Sequence, residues 1–131
     1  MAAEDILIDT SVIIDFLRKK DKRKTLLWKI RADHPCRLSV ITLFELHAGA
    51  TSEEKRADVE KIATWIAPLD LDAAIAVQAA ALYRELKTRN RAIEFRDLFI
   101  AATAMRHGLQ LATLNTKHFQ RINGLALFQP A

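Results

Sequence analysis

Residues 4–16, EDILIDTSVIIDF, decide the fold. Ile6, Leu7 and Ile8 form a short apolar run, the pattern of a parallel strand buried on both faces. The run stops at Asp9, and Thr10 or Ser11 offers an N-cap to the next element. Val12, Ile13, Phe16 and Leu17 then recur at helical spacing, which predicts a helix over Ser11–Lys19. Such a junction puts Asp9 at the carboxyl end of a sheet strand, the edge where α/β proteins bind ligands. A carboxylate there suits a metal ion or a phosphate-bearing substrate. It equally suits a strand terminus that complements the positive end of the next helix. The remaining acids have to decide.

Outward from that stretch, Lys24–Arg31 carries Leu26, Leu27 and Ile30 and predicts a second short helix. Pro35 interrupts, and Cys36–Val40 reads as a strand. Thr42–Ala48 reads as a helix stopping at Gly49, and Thr51 and Glu54 stand at capping-box spacing before the stripe Val59, Ile62, Ala63 and Ile66. Pro68 ends that helix within a short strand, Ala67–Leu71. Asp72 caps a long helix with the face Ile75, Ala79, Leu82, Tyr83 and Leu86, running out at Arg89-Asn90. Phe95–His107 is a helix closed by Gly108, Leu109–Leu114 a strand, Asn115 the start of a polar turn, and Leu125–Phe128 a final strand. Strands alternating with helices, without hairpin signals, argue for an α/β fold with a central parallel sheet and helices on both faces. Every strand's carboxyl end then lies on one edge, with Asp9 and the Thr113–Asn115 turn.

The 131 residues suit one domain, 1–131, with a core of its own. Half the residues are apolar and 27% charged, an ordinary globular balance. A single cysteine, Cys36, forms no internal disulfide or zinc motif and fits a reducing compartment. The acidic start (Glu4, Asp5) does not resemble a signal peptide, and no apolar run reaches the ~18 residues of a membrane span, so a cytoplasmic location without membrane contact is expected. The net charge of +4 favours an anionic partner. Its placement is more telling: Arg18, Lys19, Lys20, Lys22, Arg23 and Lys24 crowd into seven positions, and Arg91 and Arg96 belong to a second basic group. Each group alone is a solvated helix end or loop. Together, beside an acidic site, they suggest a rim that holds a phosphate backbone.

Three further positions carry weight. Glu45 is embedded among Ile41, Leu43, Phe44 and Leu46. It is either the far half of a Thr42-x-x-Glu45 capping box or, if Ser39 is the cap, an acid about one turn further in that needs another purpose. Asp97 opens the run DLFIAA, where the helix dipole alone would favour an acid. Asn115 follows an apolar strand and is either an oxygen ligand on the sheet edge or the cap of the turn Thr116–Phe119.

Taken together, Asp9-Thr10-Ser11, Ile41-Thr42-Leu43-Phe44-Glu45-Leu46, Arg96-Asp97-Leu98-Phe99-Ile100-Ala101-Ala102 and Ala112-Thr113-Leu114-Asn115-Thr116-Lys117-His118-Phe119, closing on Arg121-Ile122-Asn123-Gly124-Leu125, resemble PIN domains. The likeness is in particular to the VapC toxins of type II toxin–antitoxin pairs. The resemblance covers nearly the whole chain, with the motifs in family order. It implies a three-layer α/β/α sandwich and a Mg²⁺- or Mn²⁺-dependent endoribonuclease that hydrolyses RNA phosphodiester bonds. It also implies a homodimer held by a cognate antitoxin. Carried over by position, the catalytic acids are Asp9, Glu45 and Asp97. Asp9 and Asp97 are the principal metal ligands, Glu45 a ligand or the residue that orients water, and Asn115 a neutral ligand where many members have a fourth Asp. Ser11 and Thr113 match auxiliary polar positions.

The residue types suit that chemistry, because hard divalent cations take oxygen ligands and clustered carboxylates repel one another until a cation neutralises them. Rivals fit less well. A phosphoaspartyl phosphatase wants Asp where Ser11 stands, and the three glycines, Gly49, Gly108 and Gly124, build no phosphate cradle. The alternative of another class is a PIN-like RNA-binding or scaffold module without catalysis, against which retention of all three acids argues.

Overall fold

The computed structural model describes residues 4–130; positions 1–3 and 131, the ends of the expected domain, lie outside the described residues. Four short strands, β1 (Ile6–Ile8), β2 (Cys36–Ser39), β3 (Ala67–Leu69) and β4 (Gln110–Ala112), form one sheet in the order β3-β2-β1-β4. All its pairings are parallel, with Ile6 opposite both Cys36 and Gln110 and Ser39 opposite Leu69. Among the described residues seven α-helices surround it: α1 (Thr10–Arg18), α2 (Leu26–Asp33), α3 (Val40–Gly49), α4 (Glu53–Trp65), α5 (Ala73–Thr88), α6 (Phe95–His107) and the single turn α7 (Thr116–Phe119).

Strand alternation divides the interior into two cores. Ile6 and Ile8 face one side, with Val12, Ile13, Leu27, Leu38, Leu46, Val59 and Ile62 of α1–α4 and β2. Leu7 faces the other, with Ile75, Leu82, Leu98, Ile100, Leu111, Phe119 and Ile122. This is the expected three-layer α/β/α sandwich. The apolar run in β1 exists because each of its side chains is buried, two in one core and one in the other.

Capping separates the helices into two sets. Thr25, Ser39, Ser52 and Asp72 each accept a backbone N–H at the head of α2, α3, α4 and α5. Asp9, Glu94 and Asn115 precede α1, α6 and α7 without such a side-chain bond. Those three residues bear on the candidate site.

Several boundaries differ from expectation. Thr51 is not a cap: Ser52 takes that role by accepting Lys55 N–H at 3.1 Å, and its extended backbone puts the start one residue later. Gly49 ends α3 without a left-handed turn, which Gly108 does make, at φ 66°. Lys22–Lys24 is a 3₁₀ turn ahead of α2, and Thr25 caps the latter, displacing the helix expected over Lys24–Arg31. The predicted strand Leu125–Phe128 reduces to one parallel bridge, Leu111 to Leu127. Asn90, where α5 runs out, takes the left-handed conformation, at φ 56°.

Candidate active site

The carboxyl edge of the sheet assembles the site. β1 ends in Asp9, whose backbone N–H donates to Ala112 O (2.9 Å) while its carbonyl accepts from Val12 and Ile13 at the start of α1. One residue is thus strand end and helix start, and its side chain is free of both duties. Asp9 is 3% exposed. Ser11 Oγ (2.7 Å) and Thr113 Oγ1 (2.8 Å) both donate to its Oδ2. Their donor direction follows from the carboxylate, which only accepts; Ser11 Oγ in turn accepts Leu114 N–H and Thr113 Oγ1 accepts Asn115 N–H. Among the described residues Oδ1 has no hydrogen-bond partner.

Glu45 is placed by the cap of α3. Ser39 Oγ accepts Thr42 N–H at 3.0 Å, so Ser39 and not Thr42 begins the helix, and Glu45 lies a turn further in. Thr10 Oγ1 stands 2.8 Å from Glu45 Oε1 and 2.9 Å from Thr42 Oγ1. With one proton it serves one acceptor at a time, and the charged carboxylate is the stronger. Arg96 reaches the other oxygen of Glu45 at 3.4 Å and shares itself with Glu94 at 2.8 Å.

Asp97, in the first turn of α6, meets His118 Nδ1 of α7 at 3.0 Å. Burial pushes its carboxyl above the usual range; His118 opposes this, while the negative charges of Asp9, Glu45 and Glu94 add to it. Asp97 therefore sits close enough to Asp9 and Glu45 to sense the charge of each. Asn115 heads α7, exposed, with its backbone tied to Thr113 and its side chain not used as a cap.

His118 has no counterpart among the sequence-based candidates. Its only local signal was a place three residues after Asn115, on the same helical face. Thr10 and Thr42 were also missed as site residues. Of the basic residues, Arg96 reaches the acids. Arg18, Lys19, Lys20, Arg23 and Lys24 cluster near the far end of α1, about 13 Å along the helix from Asp9, and Arg91 is exposed in the segment before α6. Lys22 is differently employed from expectation. Its ammonium donates to the carbonyls of Phe16, Leu17 and Lys19 and closes the C-terminus of α1. Cys36 takes no part: burial and the charge of Asp5 push its thiol up to about 11.

Among the described residues no three His, Cys, Asp or Glu side chains form a ready-made metal cage. The donor set nevertheless suits a hard cation that keeps its waters and uses one or two carboxylates. Asp9 offers an unengaged oxygen on a nearly buried side chain, beside an Asp97 crowded by its like-charged neighbours.

A parallel α/β sandwich with acids gathered on its carboxyl edge has direct relatives. The chain belongs to the PIN-domain family, whose model matches residues 6–125. Its curated relatives include Ribonuclease VapC1 of Methanocaldococcus jannaschii, 34% identical over 123 residues, with 93% of this chain and 84% of that protein covered. The tRNA(fMet)-specific endonuclease VapC of Shigella flexneri is 31% identical, with 91% and 92% covered. Among solved structures, DNA-bound VapBC from Salmonella typhimurium superposes with a TM-score of 0.85 at 27% identity, covering 98% of each chain. No helix among the described residues is long and apolar enough to cross a membrane.

Proposed function

We propose that the chain is a divalent-metal-dependent endoribonuclease, the toxin of a VapBC-type toxin–antitoxin pair, working as a single cytoplasmic PIN domain. The observation that carries this reading is the placement of Asp9, Glu45 and Asp97 at one sheet edge, held by Ser11 and Thr113, by Thr10 and by His118 respectively. The ribonuclease names of the relatives support the activity, and the VapBC complexes among structural neighbours support an antitoxin partner.

Mg²⁺ or Mn²⁺ would be held by Asp9 and Asp97, with Asn115 as a neutral ligand, and when bound supplies charge neutralisation at the phosphate and acidifies water. The chain does the rest. Ser11 and Thr113 fix Asp9, and Thr10 fixes Glu45 so that it can hold and orient the attacking water. A new P–O bond would form from that water as one ester P–O bond breaks, with the water's proton ending on the departing ester oxygen. Arg18, Lys19, Lys20, Arg23 and Lys24, together with Arg91, would hold RNA phosphates away from the reacting one, while Lys22 closes α1 and Arg96 stays at the acids. The antitoxin would cover the acidic edge and offer it a basic side chain, and two copies of this chain would pair in the complex.

Cleavage of RNA by the purified protein, with and without EDTA, tests the core of this reading. Chelation should abolish cleavage. Asp9→Asn, Asp97→Asn and Glu45→Gln should each lower the rate by about a hundredfold or more, the loss typical of a group that stabilises developing charge. Activity that survives EDTA, or full activity in Asp9→Asn, would overturn the metal mechanism.

A further inference from the structure

The segment from β4 to α7 touches both aspartates. At one end Thr113 Oγ1 donates to Asp9 Oδ2 at 2.8 Å, and at the other His118 Nδ1 meets Asp97 Oδ2 at 3.0 Å. Between them the backbone is tied down by Asn115 N–H to Thr113 Oγ1 and by His118 N–H to Asn115 O (3.1 Å). The segment is anchored from below. Phe119, 1% exposed, and Ile122, 4% exposed, are set in the α5–α6 core, and the His118 ring lies 5.9 Å from that of Phe119. We infer that His118 is a positioning residue: Thr113–His118 grips one aspartate at each end and fixes the separation at which the pair faces a divalent cation. This rests on the reading of Asp9 and Asp97 as metal-holding residues.

The physical reason is repulsion. Asp97 sits half-buried near Asp9 and Glu45 and has no capping bond to hold it at the head of α6, so its like-charged neighbours favour rotamers pointing away. A carboxylate only accepts, so the proton of this contact is on Nδ1, and one directional N–H restrains one oxygen and leaves the other for a ligand. Carboxylates that hold metals are themselves hydrogen-bonded, and losing such a partner typically weakens metal binding by about 10–100-fold.

Nδ1 is attached to Cγ, and so is the amide of Asn; the amide of Gln is one methylene further out, in the place of Nε2. Three variants therefore separate position from bulk. Mn²⁺ binding to the free protein without RNA, read by electron paramagnetic resonance, should weaken about tenfold in His118→Ala. It should return to within about threefold of wild type in His118→Asn and stay at the alanine level in His118→Gln. Saturating Mn²⁺ should restore much of the cleavage rate lost in His118→Ala, since the site is loosened rather than removed. Wild-type affinity in His118→Ala, or a glutamine that rescues as well as asparagine, would overturn the inference while leaving the metal reading intact. A wild-type protein that binds no Mn²⁺ and cleaves in EDTA would bring down both. A loss of fold in the alanine variant leaves the asparagine–glutamine comparison to decide.

Discussion

Asp97 is where chemistry and stability pull in opposite directions. Its carboxyl is held above the ordinary range by burial and by the negative charges around it. A group whose folded value is raised stabilises the fold fully at pH below its unfolded value and loses that contribution as pH rises through the folded one. At neutral pH the ionised Asp97 is therefore a cost. Asp97→Asn should unfold at a higher temperature than wild type at pH 7, by on the order of 1 kcal/mol or less of added stability, while being inactive. The gap should close as pH falls below about 4, where the unfolded carboxyl also becomes protonated. Thermal melts of both proteins across the acid-to-neutral range measure it. Added Mn²⁺ should raise the wild-type melting temperature and not that of the variant.

Among the elements, α3 and α5 begin alike, with Ser39 and Asp72 accepting the N–H three residues on, yet they serve different ends. Asp72→Ala should cost about 1 kcal/mol of stability and leave cleavage unchanged. Ser39→Ala should cost a similar ~1 kcal/mol and also reduce cleavage, because the first turn of α3 aims Thr42 and Glu45. Denaturant melts paired with rate measurements distinguish the two. The elements most legible in the sequence were those whose signals are local. Phe95–His107 ended where Gly108 supplies the left-handed turn, and β1 declared itself by three consecutive apolar residues. Readings failed where a local signal had two equivalent bearers, as with Thr51 and Ser52, or where the role is set at a distance. His118 meets an aspartate 21 residues earlier in the chain, and nothing near it in sequence announces that. Lys22 looks like one more exposed cation in a basic run, yet the end of α1 folds back to it.

For the whole molecule, the acids and the largest basic group occupy opposite ends of α1, which separates the reacting phosphate from those that would be held. Replacing Arg18, Lys20, Arg23 and Lys24 together by Ala should raise KM for RNA and leave kcat nearly unchanged. The dependence of binding on salt should flatten by about 0.7 in log–log slope for each phosphate no longer neutralised. Titrations of a catalytically dead variant at several salt concentrations measure this. An unchanged slope would locate the RNA path elsewhere on the surface.

The uncapped heads of α1, α6 and α7 have a consequence for how this protein would respond to selection. Four helices take the ~1 kcal/mol a side-chain cap provides, and the three that meet at the acids forgo it. Asp9 and Asn115 are already cap-forming residue types, and Asp9 is held by Ser11 and Thr113 instead, so the easy gain in heat resistance lies at Glu94, a poor cap. A laboratory lineage bred for heat resistance alone would change Glu94 early, and in doing so would release Arg96 from that acid and leave it to Glu45.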